Sequence, residues 1–574
     1  MPHLSAVSVA VLVLLVTSGA QAQSASWRYQ TERDVDYLRL TPRGTLLVGT
    51  GNETLVLDGG SGKPLWSRRD LTGCKALDPS PVQEYEFKCE SRGSGDLNFV
   101  MVPTESPRIV GHHAPDGRFA VLDLDTGKTL FDSAGQEIGK VRRYALVAPF
   151  TQVVFVAEGP KSEYSVHAVG LDDGSLRWSF ESAITDDPVW LGSPSPGSLL
   201  LYGKGRNGTR VLAEFDVEAG KNAWQSSTIL KEDVREAGPR MVGAQEWRSK
   251  AYRVAPLIHD AGTTLAFISR DGPMRFDRNG QVLWRASDLG GADPSQMILE
   301  NGGLFTRQGR DLVAVDAATG RTRWRQRLRL EPAAIVPLAD TGLLVWTHDR
   351  VDLLSFETGA RLWPDVAEIP SVRDSSTWNI FSPDWNLGGV SPLLVGDGKL
   401  FVAGRRTLAA IDVATGVRTD LAGYDFRGDE APEVLERWNE GFLLMSHQNI
   451  VGLDRDGRER FARYYPAPGL SSWAKLGIGL VSVAAGQSAP LAMAFRMRIR
   501  EMAISDRAVY MHFENREGRS DAERFGLVRL DAGTGEARGT LWHNERNPIL
   551  VMNPASGVVY VRRGGTTVEG VRFE

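Results

Sequence analysis

The chain has 574 residues, 42% apolar and 24% charged, a composition that excludes disordered and collagen-like classes. Its formal net charge of −5 gives no bulk attraction for nucleic acid, which is excluded as a partner on that ground. A length of this order holds either several ordinary domains or one large repeat ring.

The N-terminus reads as a secretory leader. Residues 6–16 form an apolar run, followed by Thr17, Ser18 and Gly19 and then by small residues at Ala20 and Ala22. That pattern predicts a signal peptide over 1–22, cleaved near Gln23, and a periplasmic or secreted mature chain. The run is well short of the roughly 20 residues needed to span a bilayer. One departure is the basic n-region: Met1-Pro2-His3 carries no Lys or Arg. No Cys stands near the cleavage point, so no lipid-modified N-terminus is expected. A lone strand follows at 27–31.

From there one phrase recurs: an apolar strand, an acidic turn ending in Gly, then an aromatic. It reads LVLDGGSGKPLW over 55–66, FAVLDLDTGKTLF over 119–131 and VAVDAATGRTRW over 313–324. Alignment on the turn glycine gives Gly62, Gly127, Gly174, Gly220, Gly280, Gly320, Gly359, Gly416, Gly457 and Gly535. Four residues later stand Trp66, Phe131, Trp178, Trp224, Trp284, Trp324, Trp363, Asp420, Phe461 and Gly539. Eight of these ten are aromatic, which chance does not produce. An acid precedes the Gly by four at Asp58, Asp123, Asp216, Asp316, Asp412 and Asp531, while Asp277 and Asp454 belong to a turn one residue shorter. The Asp can accept backbone N–H bonds and the Gly supplies the positive φ that reverses the chain. Short antiparallel strands at this spacing, with almost no helical periodicity, predict an all-β fold: a β-propeller.

Cys74 and Cys89 are the only cysteines. In an exported chain they are expected to close a structural disulfide; two free thiols are the alternative, and a redox pair lacks the C-x-x-C spacing. The polar stretch 371–386 carries Trp378 and Trp385, which would suit stacking on sugar rings or, more plainly, folding back on the propeller. Residues 466–500 break the pattern. Their stretch 476–495 is uncharged and flanked by Lys475, Arg496, Arg498 and Arg500, but Gly477, Gly479, Gly486 and Pro490 argue against a membrane span. An insertion packed on the propeller is expected there, with peripheral membrane contact through 470–500 as the alternative. The C-terminal stretch 549–573 has strands but no further motif, so it is expected to share one blade with the N-terminal strand and seal the ring.

The phrase apolar-x-x-Asp-x-x-Thr-Gly-x-x-x-Trp, best kept at 316–324 and 123–131, resembles the tryptophan-docking motif of the PQQ-like (quinoprotein dehydrogenase-like) β-propeller repeat family, in its non-enzymatic, BamB-like branch. The resemblance covers 27–574 and implies four-stranded blades, eight or more in number, in one ring or in two fused propellers. It also implies that Trp66, Phe131, Trp178, Trp224, Trp284, Trp324, Trp363 and Phe461 dock one blade on the next and perform no chemistry.

Catalytic and metal signatures are sparse. His112-His113 is the only histidine cluster, and neighbours on a strand point to opposite faces. The turn at Asp454, Asp456 and Gly457 faintly resembles a calcium loop but lacks the downstream Glu. The family's dehydrogenases hold PQQ and calcium beside a pair of adjacent cysteines, and this chain has no such pair. No catalytic, cofactor or metal residue is therefore assigned. The reading is a non-catalytic envelope scaffold for protein partners, with a PQQ- and calcium-dependent dehydrogenase and a carbohydrate-binding propeller as alternatives.

Overall fold

A computed structural model describes most of residues 25–573; residues 1–24, 72–96, 227–257, 370–392 and 467–502, with several shorter loops, lie outside the described residues. The leader, Cys74, Cys89, Trp378, Trp385 and all but the first residue of 466–500 fall in those segments.

The described residues form eleven four-stranded antiparallel sheets. Ten are consecutive in sequence, spanning 35–68, 98–132, 140–181, 184–226, 258–285, 293–327, 334–368, 393–423, 434–464 and 503–543, here blades 1 to 10. Blade 11 is composite: strands Leu550–Asn553, Val558–Arg563 and Thr567–Arg572 are completed on the outside by the N-terminal strand Ala25–Gln30. Trp27 faces Gly570 and Gln30 faces Thr567 in that closing ladder. The expected closure by the two chain ends is thus present, and the blades make one ring of eleven.

The two middle strands of each blade show why the sheets stack. Leu46–Thr50 and Thr54–Leu57 are buried along their whole length, because both faces of the sheet are covered by neighbouring blades. The outer strands alternate instead, as in Pro64–Arg68 and Thr322–Arg327. Shared apolar clusters run from blade to blade. Val35, Leu46, Val558 and Tyr560 pack blade 11 on blade 1, and Tyr510, Leu541, Val559 and Val571 pack blade 10 on blade 11. Four antiparallel strands per blade also sort the connections. Links between blades and the turns joining second to third strands lie on one face, and the Asp–Gly turns lie on the other.

Candidate functional site

The recurring motif builds the joints between blades. In the full-length turn the Gly N–H closes on the Asp carbonyl four residues back, as Gly320 does on Asp316 at 2.8 Å. The Asp carboxylate caps the turn from inside. Asp316 Oδ1 accepts from Thr319 N at 2.8 Å and Thr319 Oγ1 at 2.9 Å, and Asp123 and Asp412 do the same with Thr126 and Thr415. Arg323 and the Thr319 bonds hold the Asp316 carboxyl down to about 2. The Gly takes positive φ, +72° at Gly320, and a Cβ there would lie 2.6 Å from the Trp284 ring of the preceding blade. A side chain is excluded twice over, by backbone conformation and by the indole.

The indole N–H completes the joint. Trp66 Nε1 donates to Leu124 O at 2.8 Å, Trp178 to Val217 O at 2.9 Å, and Trp284 to Ala317 O at 3.0 Å. Trp324 donates to Phe356 O at 3.1 Å and Trp363 to Val413 O at 2.8 Å. Each acceptor is the residue three before the turn Gly of the next blade. Phe461 packs its ring on Gly535 without a hydrogen bond, and Phe131 packs instead in the cluster with Phe119 and Phe155. A ninth aromatic follows the same geometry outside the sequence motif. Trp27, on the N-terminal strand, covers Gly62 and donates to Gly59 O at 3.1 Å. No motif revealed it, because in blade 11 the turn is replaced by the two chain ends.

At two of the joints that depart, the turn is one residue shorter. In the shorter turns Gly280 N bonds Asp277 O and Gly457 N bonds Asp454 O, three residues apart. The carbonyl that an incoming indole would use is then already taken by the Gly. Facing the first, Trp224 turns its Nε1 to the buried Glu214 carboxylate at 2.7 Å, which also accepts from Thr264 Oγ1 of blade 5 at 2.7 Å. Facing the second, the aromatic position is Asp420, which pairs with Arg418, and Gly457 meets the Leu421 carbonyl instead. An open groove of about 630 Å³ lies at the blade 4–5 joint, lined by polar Gln225, Asn279, Gln281 and Arg285. Arginine adds further fasteners. Arg108, buried, binds Asp123 at 2.8 Å and the carbonyls of Leu171 and Asp172 in blade 3.

Among the described residues no three His, Cys, Asp or Glu side chains converge as metal ligands. His112 Nε2 lies 2.9 Å from Val141 O, and its ring meets Tyr144 edge-on. Asp454 spends its carboxylate on Asp456 N and Arg458 N of its own turn. Two other histidines are buried deeper. His167 stacks on Phe155 and burial pushes it down to about 4. His543 stacks on His512 at 4.9 Å between blades 10 and 11; burial first, then His512 and Arg563, holds it down to about 3.

Residues 274–420 match a family model described as outer membrane protein assembly factor BamB. No curated protein matches the chain. Among solved structures, BamB from Moraxella catarrhalis aligns at 13% identity and TM-score 0.30, covering 68% of this chain and 97% of that one. A europium-containing methanol dehydrogenase aligns at 12% identity and TM-score 0.29, covering 66% and 84%. The computationally designed Ika8 protein aligns at 15% identity and TM-score 0.29, covering 63% and 95%. At such identities and scores these structures carry no argument about what this chain does.

Proposed function

Taking the chain as its repeats make it, a PQQ-like β-propeller, we propose that it is an exported, non-catalytic scaffold that holds protein partners in the cell envelope. The observation that carries this reading is where the recurring residues go. The motif's Trp, Asp and Gly are spent on inter-blade hydrogen bonds and turn caps, so the repeat supplies architecture and leaves its rim and faces for recognition. Topology adds that every connection between blades starts and ends on one face, including 69–97, 227–257, 369–392 and 465–502. The matched family model is described as an assembly factor, and the expected leader would deliver the chain to the envelope.

Crosslinking in the native envelope, followed by identification of what co-purifies, tests the scaffold. Reproducible capture of a discrete protein partner is expected. Purified protein supplied with PQQ and calcium is expected to show no dye-linked oxidation of alcohols or sugars. Such turnover would replace the scaffold with the dehydrogenase alternative.

A further inference from the structure

The outer strand of blade 6 stands apart from the other outer strands. Thr322–Arg327 carries Arg323, Arg325 and Arg327, and Arg321 and Arg329 flank it in sequence. No other described outer strand holds more than two arginines. This concentration occurs in a chain whose formal net charge is −5, so it does not follow from bulk composition.

A bulge at Arg323 resets the alternation, so the shared face is that of Arg325 and Arg327, opposite Val313 and Asp311, with Arg329 two residues further on. Residues two apart share a face, about 6.8 Å from one another. Trp324 and Leu328 occupy the opposite side and pack, half-buried, toward blade 7. The arginines are incompletely neutralised. Arg323 is held by Asp316 at 2.7 Å, but Arg325 meets Asp288 and Asp311 only at 3.6 and 3.7 Å. Arg327 shares that same Asp311 at 3.8 Å and is 69% exposed. Arg321 and Arg329 are exposed as well. Among the described residues, the guanidinium groups of Arg325, Arg327 and Arg329 thus have two carboxylates, Asp288 and Asp311, along that face. The strand is also the last of its sheet, with no further strand hydrogen-bonded outside it among the described residues.

We infer that this edge docks an extended acidic peptide segment of a partner protein, added antiparallel or parallel as a fifth strand. This assignment rests on the scaffold reading and names where and how the partner binds. A strand with Asp or Glu at alternate positions places one carboxylate opposite each arginine, where the planar guanidinium can bind it through two N–H groups. Residues between them face the half-buried Trp324 and Leu328, so the fitting pattern alternates acidic and apolar. Edge backbone groups supply affinity and the arginine row supplies register and selection. A line of charge along a single strand, in place of a broad basic face, favours a peptide over a membrane surface or polysaccharide.

The test uses full-length mature protein and a fluorescein-labelled peptide of alternating Glu and Val. Controls are a Lys/Val peptide and an acidic peptide with a central Pro-Pro pair, one of whose missing N–H groups must fall on the side facing the edge and break the ladder. Saturable binding of the Glu/Val peptide is expected by anisotropy, with neither control binding. The triple variant Arg325→Gln, Arg327→Gln, Arg329→Gln is expected to bind roughly tenfold or more weakly. Arg327→Gln alone, at an exposed position, guards against a folding defect in the triple variant and is expected to weaken binding in the same direction. Unchanged affinity in both variants, absent binding by wild type, or equal binding of the Pro-containing peptide would each overturn the assignment. Heparin or anionic vesicles that bind as tightly and lose affinity in the variants would reassign the edge to polyanions and overturn the peptide. Envelope crosslinking separates the two levels: a partner captured equally by wild type and the triple variant removes the edge and keeps the scaffold, whereas no partner for wild type removes the scaffold.

Discussion

Trp27→Ala attacks the point where the ring closes. The side chain is 8% exposed, packs against Tyr560 at a centroid distance of 5.8 Å, covers Gly62 and donates to Gly59 O. Truncating so buried a Trp costs about 3–5 kcal/mol, a figure that already includes the lost hydrogen bond. The loss falls on one terminal strand, Ala25–Gln30, whose only sheet partner among the described residues is Thr567–Arg572. Local detachment of that strand should therefore precede global unfolding, and a single midpoint for the whole ring would blur the effect. Hydrogen exchange read by peptide resolves it. Amides of 25–30 and 567–572 are expected to exchange roughly a hundred- to a few-thousand-fold faster, the factor matching that free energy. Strands of blades 4 to 8 should keep their wild-type rates. Wild-type exchange throughout 567–572 in the variant would refute the closing role of Trp27.

Further outcomes follow from the joints and the buried histidines. Trp224→Phe removes a donor from the buried Glu214 carboxylate, whereas Trp66→Phe removes one from a backbone carbonyl. The first should cost more, about 1–3 kcal/mol in denaturant-monitored stability, and equal costs would contradict the altered joint. Gly320→Ala forces a positive φ on Ala and a contact 2.6 Å from the Trp284 ring, so a loss of about 2 kcal/mol or more is expected in the same assay. Acid should weaken the fold through His167 and His543, held down to about 4 and about 3 against an ordinary value of 6.5. Between those limits the unfolded chain binds protons that the folded one refuses. Stability is therefore complete above the unfolded value and falls as pH drops through the window. His543→Phe should flatten part of the slope of denaturant midpoint against pH, and an unchanged slope would exclude that residue as its source.

Much of this architecture is written locally, which is why sequence reaches it. A turn of Asp, Thr and Gly is stabilised by its own atoms, as in Asp316 with Thr319, and strand alternation follows from a two-residue period. The all-β class, the four-stranded units and the ring sealed by both ends were legible for that reason. Blade number was not. Ten motifs and one shared blade fit a single large ring or two fused ones, and only the long-range packing of sheet on sheet, down to Trp27 against Gly570, makes them one ring of eleven. Nor does one missing turn residue announce that Trp224 must find Glu214, because the occupied carbonyl belongs to another blade. The arginines of blade 6 were visible as letters, but their exposure on an unpaired edge depends on which strand ends outermost. Backbone preferences act between near neighbours and so are readable in order, whereas an interface between sheets is set by contacts that chain order does not encode.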